Sequence, residues 1–266
     1  MKSSVISKEY LALQTDISNL QKEWQKKLEA STIIEKQTLT EKQVPVIAQT
    51  EVVINLEQYK EWVFELGDLL VEKDPKLIND IKTIKESLND GVVKRWADEV
   101  LAFNQLFFAK YAEEANVAQW LPYLIAEHAI RPFLRVVSEV FKEDLSALET
   151  KGSCPCCGEP IRLAVLEGKG SKMIVCPRCE AKWQQKRLQC SSCGNEDHKK
   201  LSYYTVEEDK NLQIEVCEEC NSYMKIIDTR KKYKKLTPFL LDVNSIHLDI
   251  IAQEKGFGIP KEEVSS

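Results

Sequence analysis

The sequence predicts an α+β multidomain chain. An all-helical N-terminal bundle occupies 1–150, two tandem three-stranded ribbons occupy 151–190 and 190–235, a C-terminal helix over 236–258 packs back, and 259–266 form a disordered tail. Three observations carry this. Apolar residues recur every three or four positions in the first half. The period shortens toward two after Gly152, and all nine cysteines lie between Cys154 and Cys220.

The helices come first in chain order. A polar, exposed helix is expected over about 8–29, and residues 43–55 look extended and draped over the bundle. Leu56, Tyr59, Trp62, Val63, Leu66, Leu69 and Leu70 fall on one helical face. Asp74-Pro75 reads as an N-cap followed by proline at the first helical position. A stripe of Leu77, Ile78, Ile81, Ile84 and Leu88 follows, with Gly91 as a stop. A third helix over 92–111 is expected to bury Trp96, Val100, Phe103, Phe107 and Tyr111. Residues 120–141 are apolar on more than one face, as in a central helix, and Pro132 removes a backbone donor and bends it. Trp24, Trp62, Trp96 and Trp120 read as core. His128 reads as a hydrogen-bonded residue of the buried helix. The run Glu127-His128-Ala129-Ile130-Arg131-Pro132 sets polar groups in an apolar helix, where they need partners.

The ribbons follow as a repeat. Strand patterns at 160–166 and 172–175 flank a Gly-rich turn at 167–171, and 181–189 supplies a third strand. The order recurs at 200–206, 207–211, 212–216 and 222–229, and an aromatic (Trp183, then Tyr223) sits just past the last cysteine of each unit. The apolar stretch 237–257 is helix-compatible.

Composition narrows the class. Hydrophobic residues at 43% and charged residues at 30% suit a soluble, core-forming chain. No apolar run is long enough to span a membrane. The polar first ten residues lack a secretory pattern, so a cytoplasmic location is expected. In that reducing setting, paired cysteines indicate metal or redox chemistry rather than disulfides. Residues 151–235 hold 17 Lys/Arg against 12 Asp/Glu, whereas the remainder holds 20 against 30. Two four-thiolate sites around divalent ions carry −4 between them, which nearby cations offset without any nucleic acid.

Four C-x2-C knuckles are present: Cys154/Cys157, Cys176/Cys179, Cys190/Cys193 and Cys217/Cys220. Cysteines at i and i+3 on a tight turn aim both sulfurs at one point, and two such turns complete a tetrahedral shell for zinc or iron. Gaps of 18 and 23 residues suit hairpins that return one knuckle to the next. The knuckles therefore pair in order: Cys154, Cys157, Cys176 and Cys179 at one site, Cys190, Cys193, Cys217 and Cys220 at the other. An interleaved cross-brace is the alternative. Gly158 and Gly194 follow their knuckles where a left-handed residue is wanted, and Asn221 tolerates that conformation, but Glu180 fits it poorly. Closed four-thiolate sites are structural or electron-transferring, not hydrolytic. Cys156, the ninth cysteine, either fills a variable position or offers an exchangeable thiol beside the metal.

These features resemble the formate dehydrogenase accessory protein family, the FdhE type, through most of residues 117–257. The likeness runs through Gln119-Trp120-Leu121-Pro122, the 127–132 run, and Cys154-Pro155-Cys156-Cys157-Gly158. It continues through Cys176 and Cys179 with Trp183 and Arg187, then Cys190-Ser191-Ser192-Cys193-Gly194. It ends with Cys217 and Cys220, Tyr223, Lys225, and the tail around Asp242, Leu248, Asp249, Glu254, Gly256 and Phe257. The resemblance implies two rubredoxin-like sites in a cytoplasmic maturation factor. Such a factor binds the catalytic subunit of a molybdenum- or tungsten-dependent formate dehydrogenase and is not itself an enzyme. The client-binding candidate is the cleft between bundle and ribbons, with His128, Arg131 and Asp249 as contributors. A homodimer is left open. The rival readings are a rubredoxin-like iron electron carrier and a nucleic-acid-binding ribbon, the latter suggested by the basic run 230–235.

Overall fold

In the computed structural model, residues 6–186, 188–206, 209–230, 233 and 235–258 are described. The tail over 259–266, and Arg187 in the family pattern, lie outside the described residues. The chain divides into two compact units: Asp16–Glu35 with Val52–Val136, and Met1–Thr15 with Lys36–Glu51 and Val137–Ser266.

Ahead of the ribbons come α1 (Lys8–Lys26), α2 (Ala30–Ile33), α3 (Val46–Gln49), α4 (Leu56–Lys73), α5 (Ile78–Ser87), α6 (Asp90–Leu101), α7 (Gln105–Ala115) and α8 (Leu121–Val140). Asparagines start three of them. The side chains of Asn55, Asn89 and Asn104 accept from the amides of Gln58, Val92 and Phe107, each satisfying a first-turn donor. In the helical unit Trp24 stacks on Trp62 with centroids 5.1 Å apart, and Trp62 meets Phe133 at 5.0 Å. A second aromatic group sets Trp96 edge-on against Phe108 and Tyr111.

Local chemistry overturns three expectations here. The single helix expected over 92–111 is two, because Phe103 adopts φ 57° and Asn104 caps a new start. The restart rotates the face, so Phe108 and Ala112 are buried while Phe103 and Phe107 are only partly so. Gly91 lies inside the first turn of α6 rather than stopping a helix, since Asn89 is the cap. Trp120 is 51% exposed because it precedes α8 instead of joining its buried face.

The other unit is built on one six-stranded sheet. Its strands are β1 (Leu163–Glu167), β2 (Ser171–Val175), β3 (Lys182–Gln184), β4 (Leu201–Val206), β5 (Asp209–Cys217) and β6 (Tyr223–Asp228), in the order β3-β2-β1-β6-β5-β4. Both three-stranded repeats are antiparallel, as the strand patterns imply. They are not separate sheets: β1 pairs in parallel with β6, in the register Leu163↔Lys225 to Leu166↔Asp228. One face buries Val165, Val175, Ile214, Val216 and Ile227 against Leu241, Leu248 and Ala252. The last three come from α9 (Pro238–Asn244) and α10 (Ile246–Glu254). The one tail helix expected is thus two, divided at Ser245, whose hydroxyl donates to the carbonyls of Leu241 and Asp242.

Residues 36–51 belong with the ribbons and are not wholly extended, since they contain α3. The Gln49 side chain ties this strap into a loop, accepting from the amides of Thr40 and Glu41 and donating to the carbonyls of Glu41 and Val44. At the first turn of α3, the amides of Val46 and Ile47 donate to the carbonyls of Pro155 and Cys156 at 2.9 and 3.1 Å. The strap is therefore anchored on the first knuckle.

Candidate metal centres

Each knuckle repeats one backbone design. The amides of Cys154, Cys176, Cys190 and Cys217 donate to the carbonyls of Glu159, Ala181, Asn195 and Ser222, five residues on. The residue just past each knuckle is left-handed: Gly158 at φ 76°, Glu180 at 58°, Gly194 at 79° and Asn221 at 58°. In the first three knuckles its amide returns to the carbonyl of the leading cysteine at 2.9 Å. That closes the turn and points both sulfurs inward. Glu180 obeys the geometry at a steric cost that its Cβ imposes.

The knuckles gather in chain order. The sulfurs of Cys154, Cys157, Cys176 and Cys179 form one group and those of Cys190, Cys193, Cys217 and Cys220 the other, all within 4.8 Å inside each group. The interleaved arrangement does not occur. Sulfurs facing each other across the hairpins are 3.6 and 3.6 Å apart at the first site and 3.7 and 3.9 Å at the second. A tetrahedron with metal–sulfur bonds of about 2.3 Å has edges of about 3.8 Å. Both groups could therefore hold a metal ion.

Electrostatics agree. Burial pushes the Cys154, Cys157 and Cys179 thiols well above their ordinary value. Burial opposes ionisation of Cys176 as well, but hydrogen bonds from the Cys154, Cys157 and Cys179 side chains bring it well below. At the second site burial raises Cys190, yet the amides of Cys193 and Ser192 and the Ser222 hydroxyl bring it down to about 7. Burial carries Cys193 up to about 12. Each group thus favours one thiolate, and a dication bound among the four sulfurs would supply the charge that ionises the others. All four positions of each shell are sulfur, which leaves no open coordination position.

A family model described as FdhE, C-terminal domain, matches residues 188–262. Over this region the chain is similar to the FdhE family. A protein FdhE homolog of Aquifex aeolicus is 36% identical over 111 residues, covering 40% of this chain and 39% of that protein. One from Pectobacterium carotovorum is 26% identical over 204 residues, 74% of this chain and 63% of that protein. The chain thus spans about two fifths of the first of these relatives and less than two thirds of the second. The crystal structure of the FdhE protein from Pseudomonas aeruginosa superposes with a TM-score of 0.62 at 18% identity, over 93% of this chain and 85% of that one. The fold is therefore shared along nearly the whole length.

Several FdhE-pattern residues outside the knuckles meet in one network. Lys225, almost fully buried on β6, donates to Asp249 at 2.8 Å, pairs with Asp242 at 2.7 Å and donates to the Asp242 carbonyl at 3.1 Å. Tyr223 donates to the other Asp249 oxygen at 2.9 Å. Arg162 grips Asp242 and also Glu159, whose carbonyl closes the first knuckle. The network fastens α9 and α10 to both ribbons. A lysine inside the apolar strand Met224-Lys225-Ile226-Ile227 was its sequence signal, because a charge there must find counter-ions. Sequence reasoning missed a second buried pair: Lys172 on β2 meets Glu215 on β5 at 2.7 Å, and Tyr203 also donates to Glu215.

His128 and Arg131 sit on α8 in the helical unit. The Gln21 side-chain amide lies 3.1 Å from His128 Nδ1 and donates to its carbonyl at 2.8 Å, while Arg135 donates to the Gln21 oxygen. Burial, then the charges of Arg131 and Arg135, hold the His128 imidazole well below its usual range, so the ring is neutral. Glu127 pairs with Arg131 at 3.1 Å. Cys156 is fully buried and its carbonyl receives Ile47. Of the basic run, Arg230 is held by Asp228, and Lys231, Lys232 and Lys234 lie outside the described residues. Among the described residues no helix is long and apolar enough to cross a membrane.

Proposed function

We propose that the chain is a cytoplasmic accessory protein for the maturation of formate dehydrogenase, binding that enzyme's catalytic subunit and performing no turnover itself. The observation that carries this is the conjunction of the FdhE family match with two closed four-sulfur clusters. Shells made wholly of thiolate hold an ion without exposing it to substrate, as a scaffold needs. The ion is iron or zinc, since both accept tetrahedral sulfur. His128 and Arg131 in the helical unit, and Asp249 in the sheet-bearing unit, enter this reading as candidate client-binding residues, each within its own unit. In cells lacking the gene, formate dehydrogenase polypeptide should accumulate in inactive form and regain activity on complementation. Normal enzyme activity in those cells would sink the proposal.

One observation favours a second reading, that of an electron carrier. Cys220 is exposed and Cys193 half-buried, so an iron ion at the second site would sit close to an external donor or acceptor. A visible absorption band that bleaches and returns in one-electron steps would support it, whereas colourless zinc-loaded protein would end it.

A further inference from the structure

Apart from the metal clusters, the helical unit carries a surface with a defined chemistry. On α1, Asp16, Leu20 and Glu23 stand at i, i+4 and i+7, and on α4, Glu65, Leu69 and Glu72 repeat that spacing. Such positions share one helix face. Trp24 stacks on Trp62 at one end and Asp16 pairs with Lys73 at the other, so α1 and α4 run antiparallel. Together with Asn19 and Asp68, the six residues line an open groove of about 550 Å³. Its floor is two half-buried leucines. Its rim carries five carboxylates, and no cation is among the lining residues. Lys26, Lys73 and Lys85 approach Glu23, Asp16 and Asp68 from outside it, and Trp24 donates to Glu65.

We propose that this groove binds a basic amphipathic helix of a partner protein. A valley between two antiparallel helices accepts a third helix lying along it, with apolar side chains between the ridges. The spacing of charge selects the same occupant. Asp16 and Glu23, like Glu65 and Glu72, lie seven residues apart, about 10.5 Å along the axis. A helix with lysine or arginine at i and i+7 presents cations at that repeat, leaving leucine-sized groups between them to cover Leu20 and Leu69. Nucleic acid and anionic membrane surfaces carry the wrong sign for this rim.

The test titrates the full-length protein against three labelled peptides of about four turns each, followed by fluorescence anisotropy. One carries a leucine stripe flanked by lysines, one has the same residues scrambled, and one replaces lysine with glutamate. The first should bind, the scrambled peptide about tenfold more weakly or worse, and the acidic peptide not at all. Leu69→Lys should weaken binding of the first peptide by about tenfold. The double variant Glu23→Lys/Glu72→Lys, at two highly exposed positions that the fold does not need, should do the same. Hydrogen-exchange protection on peptide addition should fall on α1 and α4. Equal binding of the scrambled or acidic peptide would overturn the proposal, as would unchanged affinity in both variants. So would sedimentation showing that a second copy covers the groove in the free protein.

Discussion

The two metal centres share one backbone design and differ in cover. At the first, all four sulfur-bearing residues are 2% exposed or less, and the strap anchors on the knuckle through Val46 and Ile47. At the second, Cys190 and Cys217 are buried, Cys193 is half-buried and Cys220 is exposed. There, side-chain hydroxyl and amide groups approach sulfur instead: Ser222 lies 3.0 Å from Cys220, and Asn195 lies 4.0 Å from Cys217. Knuckle geometry is thus a local property of six residues, whereas exchange with solvent is set by what packs over the turn. The four sulfur positions of the first centre are thus shielded from solvent, and those of the second are partly open to it.

The largest effect should come from cutting each centre in turn. Cys179→Ser is expected to melt the ribbon unit and spare the helical one. A structural ion supplies on the order of 10 kcal/mol, more than a small core provides. Cys220→Ser should cost the second ion while leaving most near-ultraviolet ellipticity. Metal content and circular dichroism on the two variants check this, and equal damage from both would erase the contrast between the centres.

Next in size is the pair that bridges the ribbons. Removing one member of a buried ion pair leaves an unpaired charge, so Glu215→Ala should destabilise the ribbon unit by about 3 kcal/mol in denaturant melts. The double variant Lys172→Met/Glu215→Leu should recover most of that loss. If it does not, the two centres depend on each other through more than their shared sheet.

A smaller effect sharpens the contrast from the other side, because the better-buried centre holds the worse turn residue. Glu180→Gly should stabilise by about 1 kcal/mol, since glycine adopts a left-handed conformation freely. Asn221→Gly should gain nothing, because asparagine tolerates that conformation and its side chain donates to the Gly256 carbonyl at 2.8 Å.

The smallest effect is a dependence on pH in the network between the centres. Burial alone would raise the Asp242 carboxyl, but the charges of Lys225 and Arg162 outweigh it and hold the group below its ordinary value. A carboxylate lowered on folding stabilises the protein above its unfolded pKa, and that contribution is lost as pH falls through the folded one. The stability gap between the parent and Asp242→Asn should therefore narrow as pH drops below the ordinary carboxylate range. A gap that stays constant would mean that Asp242 acts through packing alone.

Much of this was legible in the chain. Cysteine spacing and the recurring strand pattern gave eight ligand candidates and two three-stranded repeats, because knuckles and hairpins are local. The apolar period placed Trp24, Trp62 and Trp96 in the core for the same reason. It failed at Phe103, where a left-handed residue and an asparagine cap restart the helix, and at Trp120, which falls just outside α8.

What the sequence determined by itself was whatever a few neighbouring residues decide: helix faces, turns that aim sulfur, and hairpins that bring one knuckle back to the next. Only the tertiary structure decided that β1 and β6 join the ribbons into one sheet, that Lys172 finds Glu215, and that the strap covers one centre and not the other. Those contacts link residues far apart in the chain. Strand edges carry identical backbone groups whatever their side chains, so nothing in a local pattern says which edges will meet.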